Sequence, residues 1–293
     1  MGKLPDGKPD PGAARPRMRS VTTPDGGSIP VWPVPAAPYV DTPNSPGITG
    51  FTAEGNETMT MATPHDTADA VRFHDGIARS WSAGYRRRSF DERLRAFTAI
   101  MDREVRPGQR WLDLGCGSGV LTAHLARRCA DVVGIDASEP MLHEAHRELA
   151  RAQVPVTLRC GDARRMHWSE PEAFDGILCS SVVEYFEDPS PLLHESVRVL
   201  RPGGVMVVSV PMRRSITRGV QKVLRRTARA VGMDKFRYLK HSRFEVGYGE
   251  LPGWLGAHGL QVTSAVGFDP VVPSRLYGVA DPALMICTAV KAA

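Results

Sequence analysis

Three aspartates stand at intervals behind short apolar runs, and a cluster of glycines follows the first of them. Trp111-Leu112-Asp113-Leu114 leads into Gly115-Cys116-Gly117-Ser118-Gly119, Val132-Val133-Gly134-Ile135 ends on Asp136, and residues 156–160 lead into Gly161-Asp162-Ala163. Glycines let the backbone turn sharply and let a ligand approach with no Cβ in the way. A helix starting there presents free N–H groups to an anionic or carboxylate group. Dinucleotide enzymes carry G-x-G-x-x-G in the same place, so the glycines alone do not discriminate. The acids do. Asp113, two residues before the glycines, repels a pyrophosphate and suits an ammonium. Asp136 sits where a carboxylate takes two ribose hydroxyls, and Asp162 where one accepts from an adenine amino group.

Regular elements must bring these residues together. Residues 111–114 read as a strand and 119–126 as a helix, then 131–135 as a strand. Ser138 caps the next helix, with Pro140 in its first turn and Met141, Leu142, Ala145 and Leu149 on its inner face. Residues 156–160 and 174–179 are further strands. Ser190 and Pro191 start a helix that stops before Pro202-Gly203-Gly204. Residues 205–210 are almost wholly apolar, as befits a strand covered on both faces. Residues 251–258 read as a helix, and 260–266 and 284–290 as the last two strands. This alternation implies right-handed βαβ crossovers. It predicts an α/β fold: a doubly wound, seven-stranded, mostly parallel sheet with helices on both faces, whose strand ends meet at a switch-point crevice. Upstream, Ala70, Val71, Phe73, Ile77 and Trp81, then Leu94, Phe97, Ile100 and Met101, mark two N-terminal helices. Residues 1–60 are dense in Pro and Gly with neither helical nor strand period, which predicts a disordered leader before a domain spanning 67–293. Met61 would itself open a sensible domain.

The chain has 293 residues, 42% of them hydrophobic, enough for one sizeable α/β core. Its five cysteines (Cys116, Cys129, Cys160, Cys179, Cys287) form no CxxC pair, a usage that suits reduced thiols in the cytoplasm better than disulfides or zinc. No run approaches the roughly 20 apolar residues of a membrane span, and the N-terminus lacks a signal-peptide layout. The net charge of +5 is concentrated between Arg213 and Arg243, where eleven basic residues face Asp234 alone. It therefore describes one patch, and no nucleic-acid partner is expected. That patch, within a basic insertion over 213–248, has two readings. Ile216, Val220, Val223, Leu224, Thr227 and Val231 form an apolar stripe, so the segment is either a helical cap over a pocket or a surface that docks on an anionic membrane. The cap is the simpler reading and makes Val220 and Leu224 contacts to a bound substrate.

DLGCGSG (113–119), VVGIDASEPML (132–142), CGDA (160–163), FDGILCSSVVEY (174–185) and VRVLRPGGVMVVSVP (197–211) together resemble the class I, Rossmann-like S-adenosylmethionine-dependent methyltransferases of small-molecule type, over roughly residues 73–290. The resemblance implies S-adenosyl-L-methionine as cofactor, held by Asp113, Gly115, Cys116, Gly117, Gly119, Asp136, Ala137, Met141, Asp162, Ala163 and Ser180, and an antiparallel last strand. It implies methyl transfer to a small, partly apolar acceptor, most readily at oxygen. Transfer to nitrogen or carbon, a non-methylating protein of the same fold and, more remotely, a dinucleotide oxidoreductase are the alternatives. No (D/N)PP(Y/F) follows the fourth strand and no proline precedes Cys179, so the known base-methylating chemistries on nucleic acid do not fit. Displacement at a sulfonium needs a general base only if the nucleophile must lose a proton. The candidates are Glu184 and Tyr185, where relatives often carry Glu-His, and His241, in a segment that in relatives supplies substrate contacts. His74 and Tyr85 lie in helices that in relatives fold over the cofactor, and Tyr85 is a further candidate substrate contact. His143 and His146 (HEAH) do not make the HExxH zinc motif, face solvent on their helix, and leave no metal expected. Acceptor identity and oligomeric state stay open at this level.

Overall fold

The computed structural model describes residues 19–22, 28–32, 65–84, 88–230, 237–277 and 280–292. In chain order the elements are β1 (Arg19–Thr22), β2 (Ser28–Trp32), α1 (His65–Gly84), α2 (Arg88–Glu104), β3 (Arg110–Leu114), α3 (Val120–Ala126), β4 (Asp131–Asp136), α4 (Glu139–Ala152), β5 (Thr157–Cys160) and β6 (Phe174–Cys179). They continue with α5 (Ser190–Val199), β7 (Leu200–Pro211), α6 (Ile216–Ala230), α7 (Leu251–Gly256), β8 (Leu260–Phe268) and β9 (Leu284–Lys291).

The sheet runs β1-β2-β8-β9-β7-β6-β3-β4-β5. Strands β5, β4, β3, β6 and β7 pair in parallel, and β9 enters antiparallel between β7 and β8. This is the expected doubly wound seven-stranded core. Chain order reverses between β3 and β6, so the ends of β3, β4 and β6 open on one crevice. Alternate residues of the central strands bury on opposite faces. Leu112, Ile177, Met206 and Val208 pack with Leu192, Leu193 and Val199 of α5, while Trp111, Leu178 and Val207 pack with Phe97, Ile100 and Met101 of α2 and Leu121 and Leu125 of α3.

Two expectations need correction. The stretch 1–60 is not wholly without regular structure. Strands β1 and β2 pair antiparallel, and β2 continues onto β8 with Val31 opposite Val266 and Trp32 opposite Ala265. Among the described residues the sheet thus has nine strands. A free edge on β8 would offer a row of unpaired N–H and C=O groups, and this pairing satisfies them where the ladder reaches. The local signal was Asp25-Gly26 between Val21 and Ile29, a hairpin dipeptide flanked by strand-forming residues.

The second correction concerns α6. The helix forms where its period predicts, but rotated. Ile216, Val220, Val223 and Leu224 are 60%, 51%, 57% and 47% exposed, whereas Thr217 and Arg218 are buried. Polar anchors set the rotation. Thr217 Oγ1 donates to Asp269 at 2.8 Å, Arg218 Nε to Glu245 at 3.0 Å and Arg218 Nη2 to Ser242 at 2.6 Å, with Lys222 Nζ on Glu245 at 2.8 Å. Val220 and Leu224 therefore point away from the crevice and are not substrate contacts.

Candidate active site

The loop after β3 is fixed by the strand beside it. The N–H groups of Gly115 and Cys116 donate to the carbonyl of Ile135 at 2.8 and 3.1 Å, and Gly117 N–H donates to Asp136 Oδ2 at 2.8 Å. The other Asp136 oxygen accepts from Ser138 N–H at 2.9 Å. Each carboxylate oxygen accepts more than one hydrogen bond, so Asp136 is oriented by the backbone and keeps acceptor capacity for a diol. Burial pushes its carboxyl above the ordinary range, against the pull of those backbone donors. Gly115 has φ +65°, and a Cβ there would lie 2.4 Å from Val182 Cγ2, so only glycine lets these two loops approach.

Asp113 is fully enclosed. Thr122 Oγ1 donates to its Oδ2 at 2.7 Å, and burial, seconded by the nearby charge of Asp136, pushes its carboxyl up to about 7. A buried carboxylate without a counter-charge is costly, and an ammonium is the group that would relieve it. Asp162 is treated oppositely. Burial raises it, but the Arg164 guanidinium grips both oxygens at 2.7–3.0 Å and holds it below its ordinary range.

Ser138 caps α4 as predicted, its Oγ accepting from Met141 N–H at 3.2 Å and donating to Asp75 of α1 at 2.6 Å. That contact pulls α1 across the crevice and roofs it. The result is one cavity of about 1050 Å³, at the upper limit for a ligand site and large enough for a cofactor with a second molecule beside it. Its floor is the loop set of Asp113, Gly115–Ser118, Asp136–Ser138 and Gly161–Arg164; its roof carries Phe73, Ile77, Trp81, Arg93, Arg218 and Phe268.

The roof is aromatic and charged. His74 meets Tyr185 and Trp81 edge-on at 5.1 and 5.3 Å, and Phe73 stacks on His241 at 5.0 Å. Burial, reinforced by His241, pushes His74 down to about 4, and its Nε2 is buried without a hydrogen-bond partner. The imidazole is therefore neutral at pH 7. Arg93 Nη2 donates to Ser180 Oγ at 2.6 Å. Glu184, 5% exposed, lines the same cavity. Burial raises its carboxyl, while the charges of Arg218 and Arg93 pull it back.

Of the expected cofactor residues, Asp113, Gly115, Cys116, Gly117, Asp136, Ala137, Met141, Asp162, Ala163 and Ser180 all line the cavity, as do Glu184 and Tyr185. Gly119 is not among the cavity residues. Its φ of +78° and a would-be Cβ 3.0 Å from Ala145 Cα give it a different task, the close approach of α3 to α4. His241 is likewise outside the wall, one layer back behind Phe73. Tyr85 lies outside the described residues. His143 and His146 are exposed, and so is Cys160. Arg93, Arg218, Gln221 and Trp81 were not singled out from sequence as site residues. A lone arginine on an amphipathic helix carries no local mark of pointing inward; only its distant partners, Ser180 for Arg93 and Glu245 for Arg218, reveal it. Among the described residues no cluster of three or more His, Cys, Asp or Glu is arranged to hold a metal ion, and no helix is long and apolar enough to cross a membrane.

Comparison with known proteins bears on this geometry. Residues 112–208 match a family described as methyltransferase domain, the stretch from the first aspartate's strand through β7 that carries the cofactor loops. A ubiquinone biosynthesis O-methyltransferase of Chromobacterium violaceum is 30% identical over 179 residues, 59% of this chain and 74% of that protein. Its counterpart in Hahella chejuensis is 33% identical over 153 residues, 52% of this chain but only 64% of the relative, slightly under two thirds of its length. In fold, the magnesium protoporphyrin IX methyltransferase of Synechocystis PCC 6803, solved with bound S-adenosylhomocysteine, superposes with a TM-score of 0.56 at 18% identity, covering 76% of this chain and all of that one. Three carboxylates at successive strand ends, a glycine cradle between them and a relative matched over most of its length lead to one family: the chain belongs to the class I S-adenosylmethionine-dependent methyltransferases.

Proposed function

We propose that the protein transfers the methyl group of S-adenosylmethionine to a hydroxyl oxygen of a small, partly apolar acceptor bound under α1 and α6, with Glu184 taking the hydroxyl proton. The observation that carries the reading is the placement of Glu184. Its carboxylate is buried in the cavity wall and flanked by the charges of Arg218 and Arg93. The bound cofactor supplies an electrophilic methyl group on a sulfonium. Phe73, Ile77, Trp81 and Phe268 supply apolar wall for the acceptor's body and exclude water, which strengthens every charge interaction inside. Arg93 and Arg218 favour a developing oxyanion on the acceptor, and Glu184, once protonated, no longer opposes them. Burial raises Glu184, which makes it a better proton acceptor than an ordinary surface carboxylate. Oxygen is preferred over nitrogen because the relatives' names place their methyl group on oxygen. The five unpaired cysteines support a reducing compartment, the cytoplasm.

The test is turnover of methyl-labelled S-adenosylmethionine with a panel of hydroxylated aromatic and aliphatic acceptors, read by mass spectrometry for one added methylene. Wild type should label an oxygen, and Glu184→Gln should lose about 10²-fold or more in kcat with cofactor affinity intact. Label on nitrogen or carbon, or full turnover by Glu184→Gln, overturns the reading.

A further inference from the structure

We propose that the outer face of α6 docks on an anionic lipid bilayer and sets the acceptor end of the cavity against it. Ile216, Val220, Val223 and Leu224 recur at i, i+4, i+7 and i+8, one face of a helix, and all four are about half exposed or more. Single exposed apolar residues are ordinary, but four in register on one helix are not. Nor can this face simply turn inward. Thr217, Arg218 and Lys222 fasten the opposite face to Asp269 and Glu245.

Charge names the occupant. From Arg213 to Met233 the sequence contains no acidic residue. Arg226, exposed on the flank of that face, pairs with no carboxylate among the described residues, whereas Arg225 lies on the inner side with its Nε buried, and Glu245 keeps Arg218 and Lys222 there as well. An apolar stripe on a helix that carries no acidic residue, flanked by the exposed Arg226, complements a surface with acyl chains beneath anionic headgroups, the pattern of an interfacial helix.

A second segment joins the first. Asp269 Oδ1, which accepts from Thr217, also accepts from the N–H groups of Val271 and Val272 at 2.8 Å, so this turn is tied to α6. Val271 is 71% exposed. Both segments are two-sided in the same sense. Arg218 and Gln221 of α6, and Phe268 and Pro270 of the turn, line the cavity, while Val220, Leu224 and Val271 face away from it. Docking would thus lay against the bilayer the wall through which a lipophilic acceptor would pass.

Delivery of the acceptor rests on the functional reading above, but docking is measurable without turnover, so the two fail separately. The experiment is co-sedimentation of the full chain with vesicles of phosphatidylcholine alone or mixed with phosphatidylglycerol, at low and high salt. Wild type should bind the mixed vesicles far better than the neutral ones and be released by salt. Arg226→Gln should weaken binding about fivefold. Val220→Asp combined with Leu224→Asp should abolish it, with circular dichroism and cofactor affinity unchanged as the folding control. Equal partition to both vesicles, no partition at all, or binding that survives the double aspartate variant overturns the proposal. So does sedimentation equilibrium showing a dimer that the same variant dissociates, since a second copy would then cover this face.

Discussion

Helices α4 and α6 each lie against one half of the cavity, and both read from sequence as amphipathic, yet they are used in opposite ways. Helix α4 buries Met141, Ala145 and Leu149 and leaves His143 and His146 outside. Helix α6 buries Thr217 and Arg218 and leaves Ile216, Val220, Val223 and Leu224 outside. Apolar period identifies a face, but it does not say what covers that face. For α4 the answer is local: Ser138 caps the helix, β4 leads directly into it, and its apolar side meets the sheet. For α6 the answer comes from Glu245 and Asp269, which are distant in sequence and require buried partners of opposite charge or hydrogen-bonding capacity. An ion pair at depth is a strong orienting constraint because leaving one partner unpaired is far costlier than exposing a few valines.

The largest expected effect tests that orienting constraint. Glu245→Ala strips the partner from Arg218, whose side chain is 7% exposed, and from Lys222. The unfolding free energy should fall by about 3 kcal/mol, the lower end for breaking a buried pair. Leu149→Ala in α4 should cost a similar amount, about 2–3 kcal/mol, for a wholly different reason, a cavity in packed hydrocarbon. Urea denaturation of both variants makes the comparison. If Glu245→Ala is nearly silent, buried charge does not orient α6.

A smaller effect separates the two halves of the cavity by pH. Asp113 sits at about 7 because it is buried without a counter-charge. In the ligand-free protein its folded pKa lies above its unfolded value of 3.8, so the folded chain holds the proton longer and this group costs stability as pH rises from about 4 to about 7. Binding of an ammonium-bearing cofactor favours the ionised form and reverses the dependence. Affinity should weaken as pH falls below about 7, by up to about tenfold per unit, and level off above it. Calorimetry at several pH values reads this directly, and Asp113→Asn should flatten the profile. A wild-type affinity independent of pH between 5 and 8 would remove Asp113 from the cofactor's ammonium.

The cofactor half was largely legible in the sequence because its chemistry is carried by neighbours along the chain. Each acid ends a strand, and strand order in an alternating βα chain determines where those ends meet. Gly119 shows the limit of such a reading, because a glycine that lets a helix pack against Ala145 looks, in sequence, like one needed for a ligand. The acceptor half was poorly legible because it is assembled from long-range contacts. Arg93 reaches Ser180 across 87 positions, and Arg218 finds Glu245 across 27. The strands at 19–22 and 28–32 left only the Asp25-Gly26 signal, for a third reason. A short hairpin takes its stability from the edge of β8, which its own composition does not reveal.

The smallest expected effect is the most direct probe of the two helices. Leu224→Ala removes a side chain of which 47% is exposed, from the face of α6 turned away from the crevice. Little apolar area is returned to water that was not already there, and no neighbour is left facing a void. The change in unfolding free energy should stay within about 0.5 kcal/mol, the range of an ordinary surface substitution. The chemically identical change at Leu149, 5% exposed, should cost several times more. Denaturant midpoints of the two leucine variants, measured side by side, need no ligand, vesicle or acceptor. If Leu224→Ala destabilises the chain as strongly as Leu149→Ala, the outer face of α6 is already covered by the protein itself and has no membrane to meet. If it is silent, the face is free, and the difference between the helices lies in what solvates them: protein for α4, and water or lipid for α6.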